Sequence, residues 1–435
     1  MSFTKRFYRH RGITVIQKRD PTLTRIRRSK VAVVLAGGAI SGGAFKVGGL
    51  RALDEMFASR KPPGAAGAQP FSLVDADIFV GLSAGSVLAS VLAAGIPAAE
   101  AVRIVLGTST RYEEFTAMEF MAPAWHDAVR RWAGMLRRQE ILLTNFLSGG
   151  TDPRHGDAFT AGTTLLKMTQ TLLRASPVGL FSTEPLGTYL RRNMSKTGLP
   201  DDFGEQYART GKQLMLTAVD VNRGEQIVFG HDEPYGKVRI SDAVRASCAL
   251  PGWYVPVRVA NPSAGAPGEP DFLDLVDGGV MRTANVRVAV EKGADLVICY
   301  NPFTRIHYER DGRSLVDHGP YALASQLFRI LLGARLDLAK ELLYRDETID
   351  ADVVFIEPAD DDFHFFRMNP LRHANKERAA QHGYESIMAG IVANHERLSE
   401  IFATHGIQLR ALAGPQKPWQ GIEVMPHDLR ESKGR

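Results

Sequence analysis

Short apolar runs and amphipathic stretches alternate along this chain. Val31-Ala-Val-Val-Leu35 is an unbroken, mostly β-branched run of the kind that fills a strand buried on both faces. It leads into a glycine-rich loop, Gly37 to Gly43, and then into residues 44–55, where Phe45, Leu50 and Leu53 share one side of a predicted helix. The same order recurs downstream. Residues 76–80 predict a second strand, Gly81-Leu-Ser-Ala-Gly85 a turn, and residues 86–94 an Ala/Leu/Val helix. Between about 111 and 199 the texture changes to amphipathic helices rich in Met, Trp, Phe and Arg. Strand patterns return at 213–221, 225–229, 273–276, 295–300 and 353–356, with a helix over 241–249 among them. Buried strands alternating with helices predict an α/β fold with a largely parallel, doubly wound sheet.

Composition narrows the class without naming a function. The 435 residues are 44% hydrophobic and 23% charged, which fits a globular protein with a sizeable core and excludes a largely disordered chain. The two cysteines, Cys248 and Cys299, stand in apolar segments, so a disulfide scaffold is not expected and both thiols read as core residues of a reducing compartment. No apolar run reaches the ~18 residues of a membrane span, and residues 1–30 are too charged for a secretory signal. The expected location is therefore cytoplasmic.

Charge is unevenly placed. Residues 1–30 hold ten Lys and Arg against Asp20 alone, a net +9, so the overall +5 leaves −4 for the remainder. The segment reads as a basic N-terminal arm, either solvated across an acidic body or drawn to anionic lipid on the inner face of a membrane. Nucleic acid is not expected, because no groove-reading or base-stacking motif accompanies the charge.

The candidate chemistry gathers at the two strand-to-helix turns and at one aspartate. Gly81-Leu82-Ser83-Ala84-Gly85 is a G-x-S-x-G sequence between a predicted strand and a predicted helix, the context in which such a serine is exposed as a nucleophile. Gly81 and Gly85 let the backbone pass closely on either side. The Gly37–Gly43 loop lacks the lysine of a P-loop, position 43 being Gly, and the second glycine of a dinucleotide fingerprint, position 39 being Ala. It reads best as an oxyanion hole, with Gly37, Gly38 and Ala39 offering backbone N–H groups beside a helix N-terminus. Asp277-Gly278-Gly279 ends an apolar run, putting a carboxylate at a sheet edge where Gly278 and Gly279 allow close approach. That carboxylate could take the serine proton directly, or it could belong to a triad completed by His307 or His318.

In order along the chain, these motifs resemble the patatin-like phospholipases, serine lipid acyl hydrolases with a Ser–Asp dyad. The resemblance spans most of residues 31–305. It rests on the glycine loop, Gly81-Leu-Ser-Ala-Gly85, Leu180-Phe-Ser-Thr-Glu-Pro-Leu186, Leu216-Thr-Ala-Val-Asp-Val-Asn-Arg-Gly-Glu225, Ala246-Ser-Cys-Ala-Leu-Pro251, and Asp277-Gly-Gly-Val280 followed by Asn285. It implies a three-layer α/β/α hydrolase, Ser83 as nucleophile, Asp277 as general base, no metal or other cofactor, and a lipid or phospholipid substrate. One departure stands out. The family's loop usually reads Gly-Gly-Gly-x-Arg/Lys-Gly, whereas Gly37-Gly-Ala-Ile-Ser-Gly-Gly43 carries no basic residue and is one position longer, with Lys46 the nearest cation. The rival expectation from that departure is a patatin-fold lipid-binding or scaffolding protein with little or no turnover.

Three regions are expected: the basic arm 1–30, a catalytic domain 31–305 with a helical insert near 111–199, and a mainly helical extension 306–435 with one further strand. Trp125, Trp132, Met118, Met121, Met135 and Phe146 make the insert a candidate lid or acyl-chain platform.

Overall fold

A computed structural model describes residues 6–19, 28–38, 43–61, 66–124, 129, 133, 178–302, 314–359 and 376–411. Ten strands form one sheet. They are β1 (Arg6–His10), β2 (Ile13–Gln17), β3 (Val31–Leu35), β4 (Ile78–Leu82), β5 (Gln213–Asp220), β6 (Glu225–Phe229), β7 (Val257–Ala260), β8 (Phe272–Asp277), β9 (Leu296–Tyr300) and β10 (Asp352–Ile356). Their order is β1-β2-β10-β9-β3-β4-β5-β8-β7, with β6 pairing β5 off that path. The run β10-β9-β3-β4-β5 is parallel throughout, and every outer pairing is antiparallel.

Strand β3 shows why the sheet needs helices on both faces. Its five residues are all buried, and alternate side chains point to opposite sides. Val31, Val33 and Leu35 pack with α1 (Gly43–Glu55) and α2 (Ala84–Ala93), while Ala32 and Val34 pack on the other face. Chain order then gives α3 (Ala98–Leu106), α4 (Glu184–Thr197), α5 (Phe203–Thr210), α6 (Ile240–Ser247), α7 (Val286–Glu291), α8 (Pro320–Arg345), α9 (Lys376–Ala393) and α10 (His395–Ala403). Helices α7 and α8 cover the second face through Val286, Ala289, Leu336 and Leu343. The architecture is the three-layer α/β fold expected, with a parallel centre and antiparallel margins. Cys248 and Cys299 are both buried and unpaired.

One regional expectation needs correcting. Over its described residues the N-terminal segment is not an arm: β1 and β2 form a hairpin, and β2 pairs β10 inside the sheet. The alternation Ile13-Thr-Val-Ile-Gln17 was a strand pattern masked by the surrounding charge. Several of its cations serve the fold, since Lys18 donates to the carbonyls of Tyr344 and Asp346, and Arg19 pairs with Asp295. The region after 305 joins the same sheet. Its strand β10 lies between β2 and β9, and α9 crosses α1 so closely that a methyl on Gly48 would sit 1.9 Å from the Ala380 carbonyl oxygen. Most of the proposed lid, including Trp125, Trp132, Met135 and Phe146, lies outside the described residues. Among the described residues, no helix is long and apolar enough to cross a membrane.

Candidate active site

Strand register brings the two candidate catalytic residues together. β4 ends at Leu82, paired with Thr217 of β5, and on the other side of β5 Asp277 pairs with Ala218. The antiparallel β8 therefore finishes at the level where the parallel β4 gives way to α2. Ser83 and Asp277, distant in sequence, are separated there by one strand.

Ser83 occupies a strained turn. Its φ of 53° and ψ of −133° lie where non-glycine residues rarely sit, and it is one of two such positive-φ residues among those described. Neighbouring packing holds it there. A methyl on Gly85 would fall 2.1 Å from the Leu35 carbonyl oxygen, and one on Gly81 would fall 2.5 Å from Ser86 Cα. The Ser83 N–H donates to Ser247 Oγ at 2.9 Å, and Ser86 Oγ donates to the Ser83 carbonyl at 2.6 Å. The Ser83 side chain makes no capping bond to α2, so its hydroxyl is left for chemistry.

Asp277 is 3% exposed, and its Oδ1 accepts the Gly279 N–H at 2.8 Å. Burial is the largest influence on the carboxyl and lifts its pKa from 3.8 to about 6, partly opposed by the Ser83 side chain, the Gly279 N–H and the charge of Lys46. Among the described residues none of these influences is a histidine. His307 lies outside the described residues, and only the backbone of His318 is described. A buried Ser–His–Asp row does exist, with His405 between Ser29 Oγ and Asp352 Oδ2. It stands at the opposite edge, where β3 and β10 begin, and ties the segment before β3 and the turn after α10 to β10.

Lys46, seen in the sequence only as a nearby cation, is 1% exposed and donates to the Ala36 carbonyl oxygen at 3.2 Å. Burial lowers its pKa to about 7, while the charges of Cys248 and Asp277 pull the other way. Lys46 is still charged near pH 6 and helps keep Asp277 ionised there. Lys46→Met retains the aliphatic stem, so the acid limb of a kcat/KM–pH profile should move up by about a few tenths of a unit. An unmoved limb would remove Lys46 from the environment of Asp277.

Gly37 lies against the serine: a methyl there would come 3.2 Å from Ser83 Cβ and 3.7 Å from its Oγ. Gly38 follows it in the described chain, while Ala39 lies outside the described residues. The quoted motif residues beyond Ser83 and Asp277 frame that pair. Asn285 Nδ2 donates to Thr217 Oγ1, Gln226 Nε2 donates to Asn285 Oδ1, and Gly278 fits so tightly that a methyl would meet the Thr217 carbonyl oxygen at 2.9 Å. Sequence reasoning did not single out Ser247, although it lies in the Ala246-Ser-Cys-Ala-Leu-Pro251 motif.

A cavity of about 190 Å³ runs along one face of α2, past Ala84, Val87, Leu88, Val91 and Ala94. These positions recur at the 3–4 residue spacing of a single helix face. Tyr112, Phe115, Phe120 and Met194 close its far wall, so the described edges of the 111–199 segment contribute to an apolar chamber. Among the described residues, no group of three or more His, Cys, Asp or Glu side chains is arranged to hold a metal.

A model of the patatin-like phospholipase family matches residues 33–290, more than half of the chain. The chain belongs to that family. Solved structures similar to it include VipD from Legionella pneumophila, at 16% identity over 89% of this chain and 70% of that one, with a TM-score of 0.34. The type III effector ExoU from Pseudomonas aeruginosa is similar at 16% identity over 89% of this chain and 56% of that one, TM-score 0.33. Human GIVD cytosolic phospholipase A2 is similar at 13% identity over 87% of this chain and 59% of that one, TM-score 0.39. This chain thus spans less than two thirds of the latter two proteins. The family match supports lipid hydrolase activity and a lipid substrate.

Proposed function

We propose that this member of the family is a lipid acyl hydrolase working through a Ser83–Asp277 dyad and an acyl-enzyme. The observation that carries this reading is the strained turn that presents Ser83 to a buried carboxyl whose pKa is about 6. A base of that pKa is largely ionised at neutral pH yet basic enough to share a proton in the transition state.

In the proposed reaction, Ser83 Oγ attacks the ester carbonyl as its proton passes to Asp277. The resulting oxyanion meets the N–H groups of the Gly37, Gly38 and Ala39 region. Collapse expels the alcohol, which takes the proton from Asp277, and leaves the acyl group on Ser83. Water then attacks with Asp277 again as base, releasing the fatty acid and restoring the serine. Neither half-reaction calls for a metal by this route. The apolar chamber beginning at Ala84 suits the acyl chain, where each buried methylene adds about 0.8 kcal/mol of binding.

A fluorophosphonate probe tests the reading. It should label the wild-type protein once, on the peptide containing Ser83. No labelling, or labelling elsewhere, would favour a lipid-binding protein without turnover.

A further inference from the structure

Lys46 stands where the fold makes a lysine unfavourable. It is the fourth residue of α1, so its charge meets the positive end of the helix dipole, and the first turn carries no acid to offset it. The side chain is 1% exposed, and among the described residues no carboxylate lies within ion-pairing distance of its Nζ. Burial without an ion pair holds its pKa down at about 7. A methionine or leucine would fill the same space more favourably. What the lysine contributes that they cannot is one hydrogen bond among the described residues, from Nζ to the Ala36 carbonyl oxygen at 3.2 Å.

That bond acts on the loop beside Ser83. The Ala36 carbonyl and the Gly37 N–H belong to one planar trans peptide and point to opposite sides of it, so holding the oxygen fixes the direction of the N–H. Ala36 is confined from other sides as well. A methyl on Gly85 would come 2.6 Å from its carbonyl oxygen, and its N–H donates to the Tyr300 carbonyl oxygen at 3.0 Å. Gly37 itself lies against Ser83, with a methyl there 3.7 Å from Oγ. The Gly37 N–H has no hydrogen-bond partner among the described residues, so it is a donor held in direction and left open. A donor aimed before charge develops stabilises an oxyanion without reorganising in the transition state. A hydrogen bond to the carbonyl end of an amide also polarises its N–H end.

We infer that Lys46 is the positioning residue of the oxyanion hole, holding the Ala36 carbonyl so that the Gly37 N–H of the same peptide meets the oxyanion formed at Ser83. The inference rests on the hydrolase reading, and the experiment separates the two. Turnover of a p-nitrophenyl acyl ester by the full chain is measured at pH 8. There Asp277, with a pKa of about 6, is ionised in wild type and variant alike, and the lysine, even uncharged, still donates its hydrogen bond. Lys46→Met should lower kcat about 10- to 100-fold, less than the ~10²–10³ of a donor removed outright, with KM within twofold. An alkyl trifluoromethyl ketone, to whose carbonyl Ser83 Oγ adds reversibly to give a hemiketal oxyanion, should bind more weakly by the same factor. The matching secondary alcohol, which cannot add, should bind both proteins within twofold. Lys46→Met should also unfold at an equal or higher urea concentration than wild type, because it removes a buried amine that has no ion pair. Should Lys46→Met not fold, Lys46→Gln is read by the same criteria; it keeps an N–H donor on a shorter stem and should show the same losses in smaller degree. Unchanged kcat and ketone affinity, or a parallel loss for ketone and alcohol, overturns the inference. A variant that unfolds at lower urea assigns the lysine to stability and overturns it too. A wild type that hydrolyses no ester and binds the ketone no better than the alcohol sinks the hydrolase reading itself, and the inference falls with it.

Discussion

Ser83→Ala should lower hydrolysis of a p-nitrophenyl acyl ester by at least ~10³-fold while the protein stays folded. The size follows from the role of the hydroxyl, because removing a serine nucleophile costs up to ~10⁶ in turnover where the residues act as a unit. Survival of the fold follows from the local structure. The turn is held by backbone packing at Gly81 and Gly85 and by the Ser83 N–H, none of which needs the side-chain oxygen. The hydroxyl caps no helix, so the change in unfolding free energy should stay within about 0.5 kcal/mol. Purified variant retaining more than a few per cent of wild-type turnover would end the assignment of Ser83 as nucleophile.

Asp277→Asn should cost turnover ~10²–10⁴-fold, the usual contribution of a positioned general base, and should remove the acid limb of the pH profile near 6. A second, opposite effect is expected on stability. The carboxyl's pKa rises from 3.8 in the unfolded chain to about 6 in the fold, so the native state favours its neutral form. The stability this provides is fully present below about pH 4 and is lost as the pH rises through 6. A shift of about two units corresponds to roughly 3 kcal/mol. Asparagine carries no charge and escapes that loss. Urea unfolding at pH 4 and pH 8 should therefore show the variant gaining on wild type by up to ~3 kcal/mol between the two. A pH-independent difference would mean that the aspartate does not bear a buried charge, and its role as base would fall with it.

Much of this site is legible in the chain because its chemistry is local. A serine flanked by glycines at a strand-to-helix junction describes its own turn, and the close approach of Gly85 to Leu35 accounts for those glycines. Asp277 is legible as a carboxylate closing an apolar strand before two glycines. Its partnership with Ser83 is not local. That depends on β5 lying between β4 and β8, with Leu82 beside Thr217 and Asp277 beside Ala218. The elevated pKa also escapes sequence reading, since it comes from burial that only the assembled layers produce.

The misread N-terminal segment has the same cause. Charge density around Ile13–Gln17 outweighed a five-residue strand pattern, because a short edge hairpin draws its stability from the sheet it joins rather than from its own residues. Helix α8 carries apolar residues on both sides, and nothing in that pattern says which side faces the core. By itself the sequence determined the alternation of strands and helices, the glycine-flanked turn at Ser83 and the carboxylate closing an apolar strand, because each is written in the spacing of adjacent residues. The tertiary structure alone decided that the basic N-terminus is a strand pair, that Ser83 and Asp277 meet across β5, and that Leu327, Leu331, Leu338 and Leu342 of α8 face outward, since each depends on contacts between distant segments.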